Sequence, residues 1–451
     1  MLLGLEVAAA RAVGSLSRLT GRGGGTTLPG KMLATVDPGA VAQLADRLTL
    51  GSVAISATNG KTTTAAMVAE ISHECLAYNR SGANLLSGVA SALLDARDAE
   101  RGLFEVDEAA LGQVAALLQP RVVALGNLFR DQLDRYGELE YVAQGWRETL
   151  AALPDTVLVL NADDPLLCAI ASEHAVVLTY GLDDPLRSRA ALAHAADSIH
   201  CPTCGTPLVY DAIYVGHLGD HGCPGCGADR PGLDVAASSI RLRGLDGSSF
   251  TLRTPEGSAE IDLALPGLYN IYNATAAATV AHSIGCNLEE IAAGLGRFVS
   301  AFGRFERIVA GDRTVLMLLI KNPAGANEAI ATLCDGGSPT FALVALNDEI
   351  ADGRDVSWIW DVDFEPLLAQ LERVVVSGTR ASELALRFAY GGLERNRIEV
   401  QPDLEQAFDR SLAATPNGGE LIVLPTYTAM IALRAVTRRR GLVQDFWKAP
   451  T

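Results

Sequence analysis

The chain has 451 residues, 49 % of them hydrophobic but only 6 % aromatic, with 44 glycines and a formal net charge of −17. That length carries roughly two or three domains with real cores, and the negative surface argues against binding nucleic acid or anionic lipid except through a local basic patch. Met1 to Leu19 sets Glu6 and Arg11 among its apolar positions and no other run is apolar enough to cross a bilayer, so a cytoplasmic protein is expected, with peripheral membrane contact left open.

Residues 1 to about 35 read as one short helix and a glycine-rich loop. Within that loop, Gly25-Thr26-Thr27-Leu28-Pro29-Gly30-Lys31-Met32 has the glycine spacing of a phosphate loop. Met32 cannot ligate Mg2+, Pro29 removes a backbone donor and no strand precedes it, so an ordinary loop is expected. The stronger stretch follows. Ser52 to Ser56 has strand composition, Ala57-Thr58-Asn59-Gly60 is a small polar turn, and Thr63 to Glu70 is helical. Phosphate would sit at the helix N-terminus, Lys61 would reach the terminal phosphates and the Thr62 hydroxyl would hold Mg2+. The full pattern wants glycine at position 55 and finds Ile55.

Further strands are expected at Leu103 to Val106, Arg121 to Leu125, Thr156 to Leu160 and Ala175 to Tyr180, alternating with helices. Such alternation means βαβ units and a mostly parallel sheet. Next come two knuckles, Cys201-Pro-Thr-Cys204 and Cys223-Pro-Gly-Cys226, separated by 18 residues and each followed by glycine. Four thiolates at that spacing suit a closed, structural Zn2+ site rather than a catalytic one. Two disulfides would need an oxidising compartment. Lys and Arg are nearly absent between residues 190 and 229, which argues against a nucleic-acid-binding ribbon. Cys75, Cys168, Cys286 and Cys334 are isolated and expected to be core thiols. Ser239 to Leu245 and Ser249 to Thr254 read as a hairpin, and Ala274 to Ile284 as a helix. A second α/β segment has strands near Val315 to Ile320, Thr340 to Leu346, Arg373 to Ser377 and Leu421 to Leu424.

Six stretches in fixed order resemble the Mur ligase superfamily of ATP-dependent acyl ligases. Thr58-Asn59-Gly60-Lys61-Thr62-Thr63 resembles its ATP loop, with Ala57 where glycine is usual. Phe104-Glu105-Val106-Asp107-Glu108 resembles the strand end that binds Mg2+ through a carboxylate, with Glu105 the motif match and Glu108 the alternative. Asn127 to Gly137 is similar to an Asn…Asp-His-Leu-Asp signature, although Gln132 replaces the His that helps hold a second Mg2+. Asn161-Ala162-Asp163-Asp164-Pro165 is a further element, Asn270 matches a residue that reads adenine, and Arg304 an arginine that contacts ATP. The final domain departs from the family, with Leu318-Leu319-Ile320-Lys321-Asn322-Pro323 where Asp-Tyr-Ala-His-Asn-Pro is usual. The ATP loop begins near residue 56, where most such ligases would first have a domain for a UDP-linked substrate.

With the ribbon, these traits are similar to MurT, the ligase-subunit family of lipid II isoglutaminyl synthases. The resemblance implies a central ATP-binding α/β domain over residues 1–302, carrying the zinc ribbon at about 195–232, and a Rossmann-like α/β domain over 303–451. It implies that ATP and Mg2+ activate the α-carboxyl of D-glutamate in lipid II as an acyl phosphate, which ammonia converts to D-isoglutamine. No convincing Cys-His pair stands ready to release ammonia from glutamine, since five of the seven histidines lie between 174 and 221. A separate glutaminase chain is therefore inferred, and the resemblance implies that it is a GatD-like class I amidotransferase. In that family the ligase subunit supplies an acid orienting the partner's histidine; Asp355 is the first choice and Asp352 the second, on a loop that otherwise reads as a capped turn before Trp358 and Trp360. A stand-alone ligase similar to folylpolyglutamate synthase, joining an amino acid to a carboxylate, is the alternative.

Overall fold

The computed structural model describes Val7, Ala10 and residues 27–80, 82–131, 139–194, 196–299, 305–337 and 340–443. Two large sheets organise them. The first draws on β1 (Ser52–Ser56), β2 (Leu76–Tyr78), β3 (Arg101–Glu105), β4 (Val122–Leu125), β5 (Val157–Asn161) and β6 (Val177–Leu182). After the hairpin β7 (Val209–Val215) and β8 (Leu218–Gly222), which forms a sheet of its own, come β9 (Val235–Leu242), β10 (Ser248–Thr254) and β11 (Gly257–Leu263). The nine strands run in the order β11-β10-β9-β6-β5-β4-β1-β3-β2. All pairings are parallel except β9 with β10 and β10 with β11.

Side chains alternate across a strand, so a sheet buried on both faces must be apolar throughout. β1 is buried at all five positions. Its Val53 and Ile55 pack on one face with Ile271 and Ala274 of the Leu268–Ser283 helix, and Ala54 packs on the other with Phe104 and Trp146. The adjacent parallel strands β5, β4, β1 and β3 therefore lie inside a covered sheet, and it is beyond the carboxyl ends of such strands that α/β folds assemble their binding crevices.

The second sheet contains β12 (Phe305–Ala310), β13 (Arg313–Leu318), β14 (Phe341–Ala345), β15 (Arg373–Ser377), β16 (Ile398–Val400) and β17 (Glu420–Pro425), in the order β12-β13-β17-β14-β15-β16. Only the β12–β13 pair is antiparallel.

The structure corrects three expectations. Leu28 to Met32 form the start of the Leu28–Val36 helix rather than a loop, because Pro29 falls in its first turn, where no N–H is required. Cys75 is exposed and Cys168, Cys286 and Cys334 are only partly buried. Strands β2, β7, β8, β11, β12 and β16 were not expected: β2 and β16 are three residues long, β7 and β8 lie between the two cysteine knuckles, and β11 alternates exposed and covered positions. Gln132 and Arg304 lie outside the described residues.

Candidate functional site

Between β1 and the Lys61–Ile71 helix, Gly60 occupies the N-cap with φ 92°. A Cβ there would lie 2.1 Å from Asn273 Oδ1, so the turn requires glycine on both counts. Asn127, just beyond β4, braces the turn: its Oδ1 accepts from Asn59 N (2.9 Å) and its Nδ2 donates to Asn59 O (3.0 Å). The Thr58 hydroxyl accepts from Phe129 N at 3.0 Å. Ile55 belongs to the strand, paired with Glu105 and Ala124, so its departure from the motif leaves the turn untouched. The first N–H groups of the helix have no acceptor within it and can receive an anion.

The Lys61 ammonium, almost fully buried, donates to Glu108 Oε2 at 2.6 Å and contacts the Ala57 carbonyl. Glu105, also buried, ends β3 and is clamped by Asn79, which bonds both its N–H and its carbonyl. Thr62, next to Lys61 in the chain, is buried as well. Two carboxylates and a hydroxyl next to a phosphate loop are the oxygen donors that Mg2+ prefers, so these residues fit that ion.

Residues of the second sheet complete the site. Asn322 exchanges side-chain hydrogen bonds with Asn59 at 3.1 and 3.3 Å, and also caps the Pro323–Gly336 helix through Gly325 N. Beside it, Lys321 Nζ lies 2.7 Å from Asp131 Oδ2. Buried Glu328 takes Arg189 at 2.6 Å; burial pushes its pKa up, against the pull of that arginine. Together these segments form an open cleft lined by Asn59, Gly60, Thr63, Lys321 and Asn273 among others. Asn270 is placed one step behind: its Nδ2 donates to Pro266 O and its Oδ1 accepts from Asn273, which is the residue that reaches the cleft. Sequence reasoning missed Asn273, although a second asparagine three positions along a helix shares the same face.

The Asn161 to Pro165 element fastens this region. Asp164 caps the Pro165–Ala171 helix and accepts from Leu128 N at 2.9 Å. Fully buried Asp163 accepts from the Tyr272 hydroxyl (2.6 Å), Leu182 N (2.9 Å) and Arg230 (2.8 Å). Burial still raises its pKa above the ordinary carboxylate value.

Cys201, Cys204, Cys223 and Cys226 come together with all four sulfurs within 4.8 Å of one another. A tetrahedral site with Zn–S bonds of about 2.3 Å spaces its sulfurs about 3.8 Å apart, so the cluster fits such an ion. Gly205 and Gly227 take φ 73° and 74°, turning each knuckle so that their N–H groups bond Cys201 O and Cys223 O at 2.9 Å. The Thr206 hydroxyl, 3.3 Å from its sulfur, helps bring Cys204 down to about 6, towards the thiolate a metal needs. By contrast, burial pushes Cys168 up and Cys286 to about 11.

On the loop following β14, Asp352 is buried and accepts from Thr428 N at 2.8 Å. Asp355 is exposed, and its Oδ1 accepts from Ser357 N at 2.8 Å, a bond that holds its pKa below the ordinary value. Among the described residues, no helix is long and apolar enough to cross a membrane.

Residues 55–212 match the Mur ligase middle domain. The structure of a pseudomurein peptide ligase type C from Methanothermus fervidus has the same fold, with a TM-score of 0.70 at 20 % identity, over 88 % of this chain and 80 % of that one. Fold and loop thus place the chain in the Mur ligase class by architecture. Residues 319–430 match the MurT ligase C-terminal domain. The chain is 33 % identical over 438 residues to the lipid II isoglutaminyl synthase (glutamine-hydrolyzing) subunit MurT of Streptococcus pneumoniae, covering 95 % of both. For the Staphylococcus aureus subunit of the same name the identity is 32 % over 427 residues, 92 % of this chain and 93 % of that one. The chain belongs to the MurT family.

Proposed function

We propose that this chain is the ligase subunit of a lipid II isoglutaminyl synthase, working with a GatD-like glutaminase. The likeness to two MurT subunits along nearly the whole chain carries this reading. Residues 1–302 would form the ATP-binding domain and 303–451 the domain that meets the glutaminase. An oxygen of the D-glutamate α-carboxylate attacks the γ-phosphorus and ADP leaves. Ammonia then attacks the acyl carbon, inorganic phosphate leaves, and the nitrogen sheds a proton to give the amide.

In this scheme the loop from Thr58 to Thr63 receives the phosphates, and Lys61 neutralises charge as it moves to the leaving ADP. Thr62, with Glu105 or Glu108, would hold Mg2+, which when bound would screen the phosphate oxygens from the incoming carboxylate. Asn273, backed by Asn270, together with Arg304, would contact the nucleotide. Its exposure favours Asp355 over buried Asp352 as the acid that orients the partner's histidine. The cysteine cluster would hold Zn2+ in a closed, structural site.

The test is product mass after incubation with lipid II, ammonium chloride, ATP and Mg2+, with and without the glutaminase. A product about one dalton lighter, OH exchanged for NH2, is expected. ATP turnover that instead requires an added amino acid would make the chain a peptide-forming ligase.

A further inference from the structure

Hairpin β7–β8 has one end at the cysteine cluster, since Cys223 follows Gly222 directly, and its other end at the nucleotide cleft. Its tip is held firmly. Gly216 turns with φ +59°, and a Cβ there would come within 2.7 Å of the Phe129 ring. The fully buried His217 ring lies 4.6 Å from that same ring, centre to centre, and Gly219 N donates to Asp163 O at 2.9 Å. Arg230, four residues past the last cysteine, ties Asp163 to Asp220 on β8. The two residues flanking the tip, Val215 and Leu218, line the same cleft as Asn59 and Gly60, and Leu318 and Leu319 of the second sheet line it too. A triphosphate has no use for such side chains, whereas the faces of a purine bury well against them.

We infer that Val215 and Leu218 supply an apolar wall on which the base of the nucleotide rests, so that the four-cysteine insertion is part of the nucleotide site. This rests on the ATP reading above. On that basis the insertion does more than stiffen the fold: the cluster and hairpin hold two binding residues against the ring of Phe129, next to the loop that takes the phosphates.

Calorimetric titration of the full chain with Mg2+-ADP and with Mg2+-tripolyphosphate, which lacks a base, separates the two ideas. Leu218→Ala is expected to weaken ADP binding about tenfold, the effect of one lost apolar contact, while leaving tripolyphosphate binding and metal content unchanged. Val215→Trp, which fills the cleft instead of opening a void, should give the same split. Unchanged ADP affinity in both variants, or equal losses for both probes in both, overturns the inference. Lys61→Met is the control: if it weakens both probes while the wall variants do not touch ADP, only the wall falls. If Lys61→Met leaves both probes unaffected, the ATP reading falls with it.

Discussion

The phosphate loop and the cysteine knuckles are both short, local motifs, yet they are held in opposite ways. Lys61, Thr62 and Thr63 are buried, and the turn before them is braced by Asn127, Phe129, Asn273 and Asn322 from three other parts of the chain. Cys204 and Cys226 are exposed, and the knuckles are held by their own backbone bonds and by one another. Altering the loop should therefore remove chemistry and leave the fold, whereas altering the ribbon should loosen structure first and chemistry second.

Lys61→Met sharpens this contrast most. ATP-dependent amidation should fall on the order of a thousandfold, with metal content by atomic absorption unchanged. Loss of the metal from the same variant would mean that the two regions fail together. Asp355→Asn should lower glutamine-driven turnover about a hundredfold and spare turnover driven by high free ammonia; equal loss in both assays would move Asp355 into the ligase site or the fold. Removing the metal with a chelator, or by Cys223→Ser, should lower the melting temperature by roughly 5 °C. A melting curve indifferent to chelation would leave the cluster without a structural role.

The smallest effect concerns Glu328. Because burial raises its pKa, the folded protein holds this proton more tightly than the unfolded chain, and stability should fall as pH rises from about 4.5 through the raised value. Glu328→Gln should flatten that part of the melting-temperature profile, by less than about 3 °C. A profile the same in both proteins would remove this carboxyl from the pH dependence.

The central strands were legible because each must be apolar on both faces, as Val53, Val123 and Val159 are, and the metal cluster because its four ligands sit in two tight knuckles. The cleft was legible only in part. Asn322 meets Asn59 across 263 positions, and Glu328 meets Arg189 across 139. Asn59 and Asn322 each stand in a recognisable motif, but neither contact can be read locally, since both exist only once two sheets have folded and docked. The cysteines show the same limit: an isolated thiol in an apolar run predicts burial, but the exposure of Cys75 is decided by what packs over it.

The pairing of Lys61 with Glu108 sets a threshold for occupancy. A buried lysine already satisfied by a carboxylate at 2.6 Å gains little by exchanging it for a single phosphate, since separating such a pair costs several kcal/mol. On the proposed function, a metal-bound triphosphate would repay both partners at once, its phosphates taking the lysine and its cation taking the glutamate. On that reading the pair would bias the site against phosphate and monophosphates and would yield to a ligand that brings both charges together.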